Sequence, residues 1–255
     1  MTAAARRRID FNCDLGEGCG QDAAIVPLIS SASIACGAHA GDDASMREAI
    51  ALCRDHGVAV GAHPAFEDRE HFGRRELALD HDQIARLVSA QLARLATLAD
   101  AAGVRLAHVK PHGALYNLAA RDRDVADAIV GAIAAFDPGL RVYALSGSRL
   151  ADAASAAGLP VVHEVFAERA YDADGSLAPR GSPGAVIENL DAAIAQVQGL
   201  LRYGSVVARD GHRVALRADT LCLHGDRPDA AAFAAGLRAA LDAQGIVIAP
   251  PGDAR

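Results

Sequence analysis

Seven short apolar runs, each stopped abruptly by polar side chains, recur along the 255 residues of this chain. They fall at residues 9–12, 33–36, 58–62, 106–109, 142–145, 161–166 and 221–223, and longer stretches of helical periodicity separate them. Alternation of this kind forces parallel strands joined by right-handed crossovers. Two architectures satisfy it, an open doubly wound sheet and a closed barrel. An open sheet gathers its functional groups at one switch point, whereas a barrel places them at the C-terminal end of every strand. Polar residues follow nearly every run here. The expected fold is therefore α/β, a seven-stranded β/α barrel forming a single domain over residues 1–255.

The clearest helix spans residues 80–102, where Ile84, Leu87, Val88, Leu92, Leu95 and Leu98 form one stripe. Asp80 and Gln83 make a capping box at its start, and Gly103 supplies the stop. Further helices are expected over 43–56, 121–136, 148–157, 186–203 and 229–244. Residues 204–219 break the alternation and read as a hairpin turning at Asp210-Gly211, inserted before the last strand. Residues 250–255 are expected to fray.

Composition narrows the partners. With 51% hydrophobic residues the chain can bury a full core. A net charge of -7 and a single short basic run, Arg6-Arg7-Arg8, argue against nucleic acid and for a small-molecule partner. Cys13, Cys19, Cys36, Cys53 and Cys222 have neither C-x-x-C spacing nor the density of a disulfide scaffold, so a reducing, cytoplasmic setting is expected. The basic run leads into no apolar stretch of signal-peptide or membrane-spanning length. A homo-oligomer is compatible with all of this.

Lys110 is the only lysine, against 24 arginines, and it sits where the fourth run stops. Strand alternation gives His108 and Lys110 one direction, inward, with His112 on the loop above. A lysine there can meet a substrate carboxylate, stabilise an oxyanion or act as a base; equally, it can be half of a buried ion pair that holds the barrel together. Asp14 and Glu17 follow the first run on a glycine-rich loop, Asp14-Leu-Gly-Glu-Gly-Cys-Gly20, whose spacing is not G-x-G-x-x-G. They are the candidate general bases, unless they merely brace a solvated turn.

His39 and His63 also follow runs, and with Asp14 they make an Asp-His-His set able to hold a divalent metal with positions open for water. The catalytic candidates are Asp14, Glu17, His63, Lys110 and His112. Substrate contacts are expected from Asn12, His39, His108, Tyr116, Asn117, Glu164, Arg169 and His224. The polar stretch 169–180 has the make-up of a loop that closes over substrate. No G-x-x-x-x-G-K-[ST] segment is present, so ATP is not expected to bind through a P-loop.

Several strings go beyond general chemistry. They include Asn12-Cys-Asp-Leu-Gly-Glu-Gly18, Ile34-Ala-Cys-Gly-Ala-His-Ala-Gly-Asp42, Gly61-Ala-His-Pro64 and Phe72-Gly-Arg-Arg75. Others are His108-Val-Lys-Pro-His-Gly-Ala-Leu-Tyr-Asn117, Glu164-Val-Phe-Ala-Glu-Arg-Ala-Tyr171, Asp174-Gly-Ser-Leu177 and Cys222-Leu-His-Gly-Asp226. Together, over about residues 9–226, they closely resemble the LamB/YcsF family, the A subunit of bacterial 5-oxoprolinase. Ala65-Phe66-Glu67 and Cys19 depart from the family's usual Gly-Tyr-Pro and Phe.

The resemblance implies a seven-stranded barrel similar to glycoside hydrolase/deacetylase barrels. It also implies a share, with B and C subunits, in the ATP-consuming opening of 5-oxo-L-proline to L-glutamate. Two other readings stay open at this point: a free-standing metal-dependent amidohydrolase or deacetylase, and a non-catalytic subunit that binds 5-oxoproline.

Overall fold

The computed structural model describes residues 7–252. Seven parallel strands close a barrel: β1 (Arg8–Leu15), β2 (Ser31–Ala35), β3 (Ala59–His63), β4 (His108–Val109), β5 (Arg141–Leu145), β6 (Val161–Phe166) and β9 (Thr220–His224), which pairs back onto β1. The expected seven-stranded β/α barrel is the fold observed. A single turn, α1 (Asp22–Ile25), follows β1, and the helices α2 (Asp43–His56), α3 (His81–Ala101), α5 (Arg123–Phe136), α6 (Arg149–Ala156), α7 (Leu190–Tyr203) and α8 (Ala230–Ala243) pack outside. The hairpin of β7 (Ser205–Val207) and β8 (Arg213–Ala215) stands where the sequence placed it.

Four details differ from expectation. Helix α4 (Gly113–Arg121) begins directly after β4, and its N-cap residue His112 makes no side-chain cap. The start of α7 is set by Asn189, whose side chain accepts from the Ala192 N–H, so that helix begins later than residue 186. A two-residue strand, β10 (Val247–Ile248), adds to the outer edge of β1. Asp14 belongs to β1 and not to the loop after it, paired in register with Ser33 and His224. Of the tail expected to fray, residues 253–255 lie outside the described residues.

The apolar core lies between barrel and helices, where Phe11, Ile34, Ile50, Leu92, Ile129 and Leu237 are all buried. The barrel's own interior is different. Alternation along β1 sends Asp10, Asn12 and Asp14 inward, and all three are buried. A buried carboxylate needs donors, and Asp10 has four: Ser30 (2.6 Å), Ser31 (2.7 Å), Thr220 (2.6 Å) and Tyr143 (2.9 Å). Above it, the Asn12 amide donates to Thr220 (2.7 Å) and to Glu164 (3.0 Å). Layers of branched apolar side chains usually fill such barrels; here hydrogen bonds do much of the filling.

Close packing at Gly61 makes this interior fit. A Cβ there would lie 2.2 Å from Nε2 of His108, whose ring stacks on Tyr143 and whose Nε2 is 3.2 Å from the Ser33 hydroxyl. Gly61→Ala is expected to destabilise the protein by about 1–3 kcal/mol through forced displacement of that ring. Urea unfolding of the variant checks this, and an unchanged midpoint would show that His108 moves without cost.

Candidate active site

The C-terminal rim of the barrel gathers the polar groups into two neighbouring clusters. In the first, Lys110 Nζ lies 2.8 Å from Asp14 Oδ1 and 2.9 Å from Glu164 Oε1. It also donates to Asn12 Oδ1 at 3.0 Å and to the Cys222 sulfur at 3.1 Å. Tyr116 O–H donates to the other oxygen of Glu164 at 2.7 Å. Burial alone would lower the ammonium's pKa, but the charges of Asp14 and Glu164 outweigh it and hold it well above the usual lysine value. Burial would likewise raise Asp14, yet His63 and Lys110 hold its carboxyl well below the usual range. Lys110 is thus a fixed cation and Asp14 a fixed anion.

In the second cluster, Glu17 Oε1 lies 3.0 Å from His39 Nε2, 3.4 Å from His112 Nδ1 and 3.9 Å from His63 Nε2. The His39 and His112 rings stack with centroids 3.8 Å apart. Burial, then the charge of Asp14, push the Glu17 carboxyl well above its ordinary range. Burial lowers His39 to about 3. Glu17, His39, His63 and His112 each bring a ligand atom within 4.8 Å of the others, a grouping that fits a metal ion. The expected metal set was Asp14, His39 and His63. Two of its members are here with Glu17 and His112, and Asp14, bound to Lys110 through Oδ1, brings its Oδ2 to 3.3 Å from His63 Nε2 at the edge of the group.

A cavity of about 230 Å³ opens over both clusters. Its wall includes Asp14, His63, Lys110, His112, Tyr116, Asn117, Arg169 and His224. Asn12, Glu17, His39, His108 and Glu164 do not line it. Asn12, His108 and Glu164 lie beneath its floor with their polar atoms turned to one another or to Ser33, Thr220 and Lys110. The expectation of substrate contact is corrected for those three: they support the floor. Arg169 is tied to the backbone carbonyls of Ala178 (2.6 Å) and Ala185 (3.4 Å), which fastens the loop it begins.

Four contributors escaped the sequence reading. Glu168, two residues past β6, is buried and hydrogen-bonds Nδ1 of His224. Burial lifts its carboxyl to about 7. Arg74 and Arg180 stand at the mouth and share one carboxylate, Asp226, Arg180 at 3.6 Å. Two cations on one anion leave positive charge facing the opening. Glu168, Arg74 and Asp226 stood inside quoted strings and Arg180 ends the polar stretch, but nothing in linear order shows that they meet.

Residues 9–255 match the model of the LamB/YcsF family. The chain belongs to that family. A lactam utilization protein from Thermus thermophilus is similar to this LamB/YcsF chain, with 46% identity, 95% of this chain and 99% of that one covered, and a TM-score of 0.89. A protein from Enterococcus faecalis V583, provisionally assigned to cellobiose-phosphate cleavage, shares the fold at 11% identity and a TM-score of 0.58, with 96% and 97% of the two chains covered. The peptidoglycan deacetylase PdaC from Bacillus subtilis does so at 11% identity and a TM-score of 0.50, over 96% and 88%. Among the described residues of the LamB/YcsF chain no helix is long and apolar enough to cross a membrane, and all five cysteines are free thiols.

Proposed function

We propose that this chain is the ring-opening A subunit of an ATP-dependent 5-oxoprolinase, converting 5-oxo-L-proline to L-glutamate with B and C subunits. Family membership and the 46% identical lactam utilization protein support the substrate class. The observation that carries the chemistry is the cavity wall itself. One side holds Asp14, kept ionised, and another holds His224, backed by a Glu168 carboxyl lifted to about 7. Titratable groups pushed apart in this way suit a base and an acid acting on one bond. A volume of about 230 Å³ is below that of pockets for drug-sized ligands and fits a molecule of amino-acid size.

The roles then follow. The substrate carboxylate meets the positive mouth at Arg74 and Arg180. Asp14 takes a proton from water as its oxygen bonds to the lactam carbonyl carbon, and Lys110 beside it offsets the charge that builds up. The ring C–N bond breaks, and the leaving nitrogen takes a proton from the His224–Glu168 pair. Amide resonance makes the lactam carbon a poor electrophile, which is why ATP is consumed. With no P-loop here, activation falls to the partner subunits. The γ-phosphoryl of ATP would pass to the lactam oxygen with release of ADP, so that water addition and C–N cleavage leave a γ-glutamyl phosphate, which a second water hydrolyses to glutamate and phosphate.

The test is to combine the purified chain with B and C subunits, 5-oxoproline and ATP, and to measure glutamate. Glutamate that needs all of them is expected. Turnover by this chain alone without ATP would replace the proposal with a metal-dependent amidohydrolase, the reading that the Glu17–histidine cluster favours.

A further inference from the structure

His63 and His112 face one another in a way two neutral imidazoles cannot satisfy. Nδ1 of His63 lies 2.7 Å from the carbonyl oxygen of Lys110, and Nε2 of His112 lies 2.9 Å from that of Phe72. A carbonyl oxygen only accepts, so each of these nitrogens carries a hydrogen. The remaining nitrogens, Nε2 of His63 and Nδ1 of His112, are then bare, yet they lie 2.9 Å apart. Two lone pairs do not bond each other, and something positive belongs where they converge. Glu17 Oε1 points to the same place, 3.4 Å from one and 3.9 Å from the other.

We propose that Glu17, His63 and His112 hold a divalent cation of the zinc class, with His39 at the side of the site. Two imidazoles and a carboxylate are a borderline donor set that suits zinc and its neighbours better than magnesium or calcium. Zinc with tetrahedral bonds of about 2.0 Å would set the two nitrogens about 3.3 Å apart, a small adjustment of the observed spacing. The supporting shell is already built. Metal-binding histidines donate their second N–H to a fixed acceptor, and both rings do so to backbone carbonyls.

One of those carbonyls belongs to Phe72, at φ 55° the only non-glycine with a positive φ among the described residues. That conformation is strained for a side chain of this kind and persists where the surroundings impose it. It aims the Phe72 oxygen at His112, while the next residue, Gly73, packs so closely that a Cβ there would lie 2.8 Å from the His39 Cβ. His63 and His112 line the cavity, so the cation would be within reach of a small ligand. The inference stands on ring geometry and not on the ring-opening reading, and its test is independent of activity.

Tag-free protein, stripped with a chelator and desalted, is titrated with zinc chloride by calorimetry, then desalted again and analysed for metal. One zinc per chain is expected to be retained. Glu17→Gln and His112→Asn should each weaken binding by about 100-fold or more, since even outer-shell partners contribute about 10–100-fold. X-ray absorption at the zinc edge of the unmutated protein should show two imidazole nitrogens about 2.0 Å from the metal, which keeps the test open if a variant does not fold. A chain that retains no zinc overturns the proposal, and the converging lone pairs are then bridged by a proton. Zinc held without imidazole ligation, or undiminished in both variants, overturns it as well.

Discussion

Lys110→Met is expected to cost the fold about 3–5 kcal/mol, the largest effect of any single substitution at this site. Removing one partner of a buried ion pair leaves the other charge without compensation. Here two buried carboxylates would be stranded, Asp14 in the cavity wall and Glu164 beneath it, both within 3 Å of the ammonium. Lys110→Arg is not expected to rescue, because the planar fork of a guanidinium does not fit a socket built around a point charge. Chemical denaturation of the three proteins checks this. The sign of the pH response is a second readout. In the parent, Asp14 is held below its unfolded value, so its stabilising contribution is present above about pH 4 and lost on acidification. In the methionine variant, protonation relieves the unpaired buried charge, so mild acid should restore stability. A loss below about 1 kcal/mol, as for an exposed pair, would show that the network is not structural.

Asp14→Asn is expected to lower glutamate formation by the assembled enzyme by about 10²–10⁴-fold, the usual size of a general-base contribution. The amide is nearly isosteric, and Lys110 keeps Glu164, Asn12 and Cys222. Stability should therefore fall far less than in Lys110→Met, and the rate effect should appear in kcat. Single-turnover measurement with 5-oxoproline and ATP separates this from a binding defect. A kcat within about threefold of the parent would remove Asp14 from the chemistry.

The fold was legible because period-2 and period-3.6 patterns are local. The stripe Ile84, Val88, Leu92, Leu95 marks α3 without reference to any other element, and Asp80 with Gln83 caps it as expected. Short elements carried less signal. β10 has only two residues, and α4 begins at a glycine after an N-cap histidine that makes no cap. The site was legible as a rim and not as a set of partnerships. His39 and His63 could be expected to approach a carboxylate. Both carboxylates are approached, His39 meeting Glu17 and His63 lying between Asp14 and Glu17, a division set by where β1 ends that pattern does not resolve. Lys110 drew notice by its rarity, but its four buried partners come from β1, β6 and β9, over 50 residues away in sequence. Glu168 and Arg180 owe their places to a loop whose course is set by carbonyls bound to Arg169.

The column Asp10, Asn12, Asp14 has a consequence for how this barrel can change. An apolar interior tolerates exchange of one branched residue for another as long as volume is kept. An interior wired by hydrogen bonds works more like a lock with fixed wards. If β1 slid by one residue against β2 or β9, its polar column would turn outward and Phe11, Cys13 and Leu15 would face Ser31, Thr220 and Lys110. The same residues that hold charge beneath the cavity therefore reject a one-residue slip of β1, so a mutation that relaxes the chemistry also loosens the chain's commitment to one strand alignment.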